Sequence, residues 1–208
     1  MNNFCQRHWY SWLLPLLYLT ISSLGYTHPA WLHGKVKGEF FPGTLLEVDY
    51  TNRTLKVAMQ QKKGQTKKEI IKITPETKLA ILVPVALDDI PEFSFVKLEG
   101  HAVDSQQGFL GDTLTVLPNW YPEVPGFGDK TATGVFRRNR KKGLFLQANR
   151  RMTQIQNQAN LETFKLEERG EISSLRKGQR IILAQTLKNG IRTATALCIL
   201  HDVTENDR

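Results

Sequence analysis

The stretch that most constrains this chain is an apolar hairpin pattern near its C-terminus. Two apolar runs rich in β-branched residues, Arg180–Leu187 and Ile191–Leu200, flank Lys188-Asn189-Gly190. Asn-Gly between two such runs predicts a β-hairpin, because a type I′ turn needs positive φ at both central residues. The polar turn Arg176–Gln179 leads into the first run. A chain with such a hairpin is expected to contain antiparallel β-structure.

A second hairpin pattern of the same kind occurs earlier in the chain. Asp89–Glu92 leads into two apolar runs, Phe93–Gly100 and Phe109–Leu117, which are separated by a polar turn. Aligning Phe95 with Arg180 superimposes the two hairpin patterns. We therefore interpret the chain as one β-rich unit used twice.

The segments that precede the two hairpins follow the same order of strands and turns. Gly43 aligns with Gly134, and only loop lengths differ between the two copies. In this alignment Leu161–Leu166 corresponds to Glu69–Thr74. The stretch Arg150–Ala159, rich in Gln and Asn, is predicted to be a long hairpin end.

The fold predicted from this pattern is all-β, with two tandem small OB-like barrels. Five or six short strands in roughly 75 residues suit a closed barrel, which leaves no exposed sheet edge. A β-sandwich is the alternative. The predicted domains are residues 30–117 and 131–203, and Pro118–Lys130, with three prolines and two glycines, is the predicted linker between them.

The N-terminus predicts export. Residues 1–25 read as a signal peptide, in which the apolar run Trp12–Ile21 is followed by Ser23 and Gly25 at the −3 and −1 positions of a cleavage site. The mature protein is then expected to be periplasmic or secreted. The alternative is an uncleaved anchor in the inner membrane through residues 12–24.

One stretch resembles a known family. Lys72–Lys78, with its Thr-Pro-Glu-Thr turn, is followed by Asp89-Ile90 and by the strand pattern Phe95–Gly100. This order resembles a widespread bacterial family of exported proteins with OB-like β-barrel repeats of unknown function. Its second copy is Ile172–Ile182, preceded by Glu167–Gly170 instead of the Thr-Pro turn. The resemblance implies OB-like barrels and an envelope location, and it brings no catalytic residues.

The excess of positive charge lies in the second half of the chain. Residues 26–130 hold 12 Lys and Arg against 13 Asp and Glu, whereas residues 131–208 hold 15 against 7. OB barrels bind oligonucleotides and oligosaccharides through faces and loops, so a basic hairpin end predicts an anionic ligand. Because export is predicted, we expect an anionic glycan, lipid or envelope protein as partner, and no nucleic acid. A solvated turn that keeps the protein soluble is the alternative. The candidate anion-binding residues are Arg137, Arg138, Arg140, Lys141, Lys142, Arg150 and Arg151.

The processed N-terminus suggests a second candidate site. Cleavage after Gly25 would expose Tyr26-Thr27-His28. The free amine, two backbone amides and the imidazole could then bind Cu(II) in the square-planar geometry that this metal prefers. His33 follows five residues later. His28 and His33 are therefore candidate metal ligands for an alternative function, periplasmic copper handling.

Enzymatic chemistry is not expected. The sequence contains no nucleophile elbow, no zinc-protease motif and no phosphate-binding glycine loop. Asp88 and Asp89 are neighbours on an extended chain, so their carboxylates point apart and cannot share one reacting centre. Cys198 lies in an alternating apolar strand and is predicted to be a small buried hydrophobe. We expect a non-enzymatic binding or assembly module of the bacterial cell envelope that needs no cofactor. A further alternative is a membrane-tethered accessory subunit of an envelope complex.

Overall fold

The computed structural model describes residues 35–36, 40–60, 65–103, 108–169 and 171–200. In these ranges the chain forms β-strands and short 3₁₀ turns and contains no α-helix. The 3₁₀ turns are Leu87–Asp89, Gln158–Asn160 and Ile172–Ser174. The strands are β1 (Phe40–Asp49), β2 (Thr54–Gln60), β3 (Thr66–Lys72), β4 (Lys78–Pro84), β5 (Phe95–Val103), β6 (Gly108–Val116), β7 (Gly126–Phe127), β8 (Thr131–Asn139), β9 (Gly143–Ala148), β10 (Arg151–Gln156), β11 (Glu162–Arg169), β12 (Arg180–Lys188) and β13 (Ile191–Leu200).

Backbone pairing closes ten of these strands into two five-stranded rings. The first barrel runs β1-β2-β3-β13-β12 and returns to β1. The second barrel runs β8-β9-β10-β6-β5 and returns to β8. Ring closure pairs the edges that an open sheet would expose. The prediction of an all-β chain with a small closed barrel is confirmed. The strands that the structure describes belong to one hydrogen-bonded sheet and not to the two stacked sheets of the β-sandwich alternative.

The barrels do not follow the predicted domain boundaries. The first barrel combines β1, β2 and β3, from the predicted domain 30–117, with the β12–β13 hairpin from the predicted domain 131–203. The second barrel combines β8, β9 and β10 with the β5–β6 hairpin from the earlier domain. The division into consecutive barrels is therefore wrong, because the two units exchange their C-terminal hairpins.

The connections that lead into the hairpins explain this exchange. After β4, the Val85 N–H donates to the carbonyl oxygen of Thr163 at 3.1 Å, so the chain continues along β11 instead of turning back. Ile90 then packs in the core of the second barrel, and Leu175 packs in the core of the first. Burying one such side chain contributes about 1.5–3 kcal/mol, and each buried side chain directs the following hairpin into the opposite barrel.

β4 and β11 join the barrels through the centre of the molecule. They pair antiparallel, with Leu82 opposite Leu166. β4 also pairs in parallel with β13, and β11 pairs in parallel with β6. β4 thus pairs with a strand of the first barrel in the way that β11 pairs with a strand of the second. An approximate two-fold rotation therefore relates β1–β6 to β8–β13 in chain order.

A third apolar cluster fills the space between the two barrel cores. It contains Leu166 of β11 and, from the predicted linker Pro118–Lys130, Trp120 and Tyr121. The Val36 N–H donates to the carbonyl oxygen of Trp120 at 2.9 Å, and β7 of the same segment pairs with β8. Pro118–Lys130 is therefore a packed part of the fold, and the prediction of an extended linker is wrong.

The Asn-Gly hairpin forms as predicted. Asn189 and Gly190 have φ of 52° and 75°, as a type I′ turn requires, and β12 pairs with β13 along its whole length. The aligned glycines occupy equivalent positions, since Gly43 faces Ile181 and Gly134 faces Val96.

One predicted correspondence between the two copies is wrong. Arg150–Ala159 contains β10 and the start of the 3₁₀ turn Gln158–Asn160, and β10 occupies the place in the second barrel that β3 occupies in the first. Leu161–Leu166 therefore corresponds to β4 and not to Glu69–Thr74. In β10 only Thr153 and Ile155 are buried, which leaves too few apolar residues for a recognisable strand pattern.

Several N-terminal predictions lie outside the described residues. They concern the signal peptide 1–25, the alternative anchor 12–24, and the metal ligands His28 and His33. In the part of the chain that the structure describes, no helix is long and apolar enough to cross a membrane. Export, anchoring and copper binding therefore stay predictions.

Candidate functional site

The structure divides the predicted anion-binding residues between two ends of the second barrel. β9 separates the turn Arg140–Lys142 from Arg150 and Arg151. Its six residues span roughly 17 Å at about 3.3 Å per residue. The seven candidates therefore do not form one site, and each group has its own surroundings.

Arg150 and Arg151 belong to the turn between β9 and β10. Asn149 and Arg150 have φ of 48° and 67°, so this tight turn forms without glycine. The guanidinium carbon of Arg151 lies 5.4 Å from the centroid of the Phe127 ring, and Asn149 Nδ2 donates to the carbonyl oxygen of Pro125 at 3.0 Å. These contacts hold the packed segment before β8 in place, which is a structural role.

Arg137 and Arg138 lie at the other end of the barrel, where acidic partners face them. Arg137 Nε is 3.6 Å from Glu92 Oε1. Arg138 Nη1 is 3.0 Å from Asp88 Oδ1, and its Nη2 donates to the carbonyl oxygen of Leu87 at 2.9 Å. The charges of these two arginines are therefore partly neutralised, and the carboxylate of Asp88 serves as an ion-pair partner.

The basic turn Arg140–Lys142 projects from the same end, and its backbone is fixed. The backbone N–H groups of Lys141 and Lys142 both donate to Asn139 Oδ1 at 3.0 Å. Gln154 Nε2 donates to the carbonyl oxygen of Lys142 at 2.9 Å. All three cationic side chains are exposed, and none forms an ion pair with a residue that the structure describes. A fixed turn with free cations loses little entropy when it binds an anion.

Phe93 lies beside Arg137, at the same end of the barrel, in an unusual backbone conformation. Its φ is 71°, and its side chain is 62% exposed. The guanidinium carbon of Arg137 lies 4.3 Å from the ring centroid, and Arg137 lies three residues before the basic turn begins at Arg140, a distance of roughly 10 Å for an extended chain. The site therefore combines an exposed aromatic ring with an arginine and a basic turn.

The first barrel has a glycine at the position equivalent to Phe93. The Phe93 N–H donates to the carbonyl oxygen of Phe136 at 2.9 Å, and the Gly178 N–H donates to that of Leu45 at 2.7 Å. Gly178 has φ of 91°, a conformation that glycine adopts readily and a bulky residue does not. Sequence reasoning missed Phe93 as a site residue. A comparison of Phe93 with Gly178, in the aligned turns that lead into the two hairpins, could have identified it.

The other predicted reactive groups form no site. Cys198 is buried, as predicted, and burial raises its pKa to about 12, so the thiol stays protonated at neutral pH. Among the described residues, no group of three His, Cys, Asp or Glu side chains is placed to hold a metal ion.

Comparison of the chain with protein-family models, curated proteins and solved structures finds no match. The resemblance to the exported OB-like family therefore stays a prediction.

Proposed function

We propose that this chain is a non-enzymatic, exported binding module of the bacterial cell envelope whose second barrel binds an acidic glycan. The observation that carries this proposal is the combination of Phe93, Arg137 and the basic turn Arg140–Lys142. An aromatic ring offers an apolar face to the C–H groups of a sugar ring. Guanidinium and ammonium groups form charge-assisted hydrogen bonds with carboxylate or sulfate groups. An acidic saccharide presents both features together.

The backbone conformation of Phe93 supports a binding role. A bulky residue at positive φ is uncommon and unfavourable, and such residues cluster at functional sites. The equivalent Gly178 shows that this turn forms without a side chain. A phenylalanine at this position therefore destabilises the folded state relative to glycine. Contact of its ring with a ligand would account for its presence. Export, predicted from residues 1–25, favours a glycan over nucleic acid.

The first test removes the free cations of the basic turn. Arg140, Lys141 and Lys142 are changed together to Ser, and retention on heparin is measured over a range of salt concentrations. Arg137 and Arg138 are kept because they already hold acidic partners. We expect affinity to fall at least roughly tenfold, because hydrogen bonds to charged groups contribute about 1.5–3 kcal/mol each, and the salt dependence to flatten as contacts are lost.

The matched control removes three exposed cations from other elements, Lys78, Lys165 and Lys177, also by change to Ser. Heparin retention should fall only slightly in this variant. Equal losses in the two variants would show a diffuse effect of net charge and would overturn the proposed site.

The second test removes the aromatic ring. Phe93→Gly should weaken heparin binding by roughly two- to tenfold, since one good aromatic contact contributes about 0.5–1.5 kcal/mol. The backbone can keep its conformation, because glycine tolerates positive φ. Unchanged affinity in Phe93→Gly would leave only a charged turn and would contradict a glycan-stacking site.

A further inference from the structure

The first barrel carries a groove that the proposed function does not use. The ring closes between β13 and β3 through one residue pair, Thr193 with Lys72. On the side of that pair towards the β12–β13 turn, the two strands separate and leave an open groove of about 450 Å³. We call it the seam groove. Its lining includes Lys67, Glu69, Ile70, Lys72, Ile191 and Arg192.

Two aliphatic side chains line this groove from opposite strands. Ile70 of β3 is 68% exposed and Ile191 of β13 is 54% exposed. Single exposed aliphatic residues are common on protein surfaces, but an exposed group of them marks an interaction site. These side chains therefore favour an occupant with apolar groups.

Positive charge surrounds the aliphatic pair. Lys67 Nζ lies 2.8 Å from Glu69 Oε1, and Arg192 Nε lies 3.2 Å from Glu69 Oε2. One carboxylate thus holds two cations at the rim of the groove. Lys72 is exposed and has no ion pair with any residue that the structure describes. Three cations against one anion leave the lining net positive, so the occupant is expected to be anionic as well.

We infer that the seam groove contacts an anionic membrane surface, with Ile70 and Ile191 entering the acyl boundary and Lys67 and Lys72 meeting lipid phosphates. Aliphatic residues flanked by long basic side chains are the combination by which proteins bind anionic lipid interfaces. The lysine stems can lie along the apolar layer while the ammonium groups stay in the headgroup region.

The chemistry of the groove favours lipid over a glycan. Ile70 and Ile191 present no flat ring for a sugar to stack on, in contrast to Phe93 in the second barrel. A soluble polyanion would use the cations and leave the aliphatic side chains in water. The lipid inference rests on different residues in a different barrel, so it stands or fails independently of the glycan site.

The experiment measures sedimentation of the protein with phosphatidylcholine vesicles that contain or lack phosphatidylglycerol. The protein is used as cells process it, and every variant is made in the same chain. Any contribution of residues 1–25 is then common to all samples. We expect binding that depends on the groove only when phosphatidylglycerol is present.

Three double variants separate the possible causes of binding. Ile70→Ser with Ile191→Ser should weaken binding on the order of tenfold for each side chain. Lys67→Gln with Lys72→Gln should weaken it roughly thirtyfold, at about 1 kcal/mol for each basic residue near an anionic surface. This variant leaves Arg192 paired with Glu69. The control, Lys165→Gln with Lys177→Gln at exposed positions outside the groove and outside the basic turn, should change vesicle binding by less than roughly threefold. Of the side chains changed in the two groove variants, Lys67 forms an ion pair, with Glu69 at 2.8 Å. Unchanged near-ultraviolet circular dichroism checks that each variant is folded.

Several results would overturn the inference. Equal binding to vesicles without phosphatidylglycerol would exclude headgroup recognition by the groove. An unchanged affinity in the isoleucine variant would show that no apolar insertion occurs. Equal losses in the groove and control lysine variants would show diffuse attraction. Complete displacement from vesicles by soluble glycerol phosphate would show a headgroup pocket without membrane contact.

Discussion

In the second barrel, β10 and β6 pair at three positions, whereas in the first barrel the equivalent strands β3 and β13 pair at one. The pair Thr193–Lys72 is equivalent to Leu110–Gln156, because both precede the same parallel pairing with a crossing strand. On the hairpin-turn side of these pairs, β10 and β6 pair at two further positions, whereas β3 and β13 do not pair. The difference between the barrels is therefore local to one end of one seam.

The side chains at the seam explain this difference. The second barrel places Phe109 and Thr153 where the first has Arg192 and Glu69. Phe109 is buried and packs in the barrel core, so its seam closes over apolar surface. Arg192 has to keep its charge near water and meets Glu69 at 3.2 Å instead. An ion pair at a seam thus replaces continuous strand pairing with an accessible groove, because burying both charges would cost several kcal/mol for each.

The largest expected effect is the difference in stability between variants at the equivalent positions Phe109 and Arg192. Phe109→Ala should destabilise the protein by about 3–5 kcal/mol, because it leaves a cavity in the second core. Arg192→Ala should cost only about 1 kcal/mol, because the ion pair that it removes is partly exposed. Denaturant unfolding of the two variants measures both values. Similar costs would mean that the two seams are equally well packed.

The exchange of hairpins is tested by a second matched pair. Leu183 in β12 and Leu98 in β5 occupy equivalent positions and are both fully buried, so Leu→Ala should cost about 2–5 kcal/mol at either site. Native-state hydrogen exchange should show that Leu183→Ala lowers protection mainly in β1, β2 and β3. Leu98→Ala should lower protection mainly in β8, β9 and β10. The reverse pattern would support consecutive barrels instead of exchanged ones.

The sequence predicted the local structure well and the assembly of strands poorly. The hairpin around Asn189-Gly190 and the order of strands follow from turn chemistry and alternation, which act over a few residues. Which ring accepts a hairpin depends on contacts of Ile90 and Leu175 with distant strands. Because two similar units offer two similar rings, the hairpin pattern alone cannot distinguish the exchanged arrangement from the consecutive one.

The candidate site was predictable in part for a similar reason. The basic turn Arg140–Lys142 is visible as a run of charge, and its exposure follows from its polarity. The pairing of Arg137 with Glu92 and of Arg138 with Asp88 depends on a connection that crosses between barrels, so sequence reasoning could not find it. The seam groove was not predicted, because it exists only where β3 meets a strand more than 100 residues later in the chain.

The turn before each hairpin offers a smaller test of the comparison. Phe93→Gly should stabilise the protein by about 1 kcal/mol, because it relieves a left-handed conformation that costs a non-glycine residue about 1–2 kcal/mol. Loss of the contact with Arg137 offsets part of this gain. The reciprocal change, Gly178→Ala, should destabilise by about 1–2 kcal/mol. A Cβ at Gly178 would meet no atom within 4 Å, so the cost there is conformational. If thermal unfolding showed a loss of stability in Phe93→Gly, the ring would be part of the core architecture.

The smallest expected effect concerns pH and the ion pair at the seam of the first barrel. The Glu69 side chain is only 8% exposed. Burial tends to raise its pKa, but hydrogen bonds from Lys67 and Gln185 and the charge of Arg192 outweigh burial and hold the pKa below its ordinary value of 4.5. The folded protein therefore favours the ionised form more than the unfolded chain does. This stabilisation is fully present above the unfolded pKa and is lost as pH falls through the lower, folded pKa.

Glu69→Gln keeps the shape of the side chain and removes its charge, so it isolates this contribution. At neutral pH the variant should be less stable than the unchanged protein by about 1 kcal/mol, after allowing for solvent screening at the seam. The difference should shrink as pH falls below 4.5, because Glu69 then becomes protonated and loses its charge. The other carboxylates titrate alike in both proteins and do not contribute to the difference. Thr153→Val at the equivalent position is the control. Its hydroxyl is buried without a hydrogen-bond partner among the described residues, so the change should be neutral or stabilising and independent of pH. A stability difference for Glu69→Gln that persisted at low pH would mean that the carboxylate acts through its packing and not through its charge, and the contrast between a charged and an apolar seam would fail.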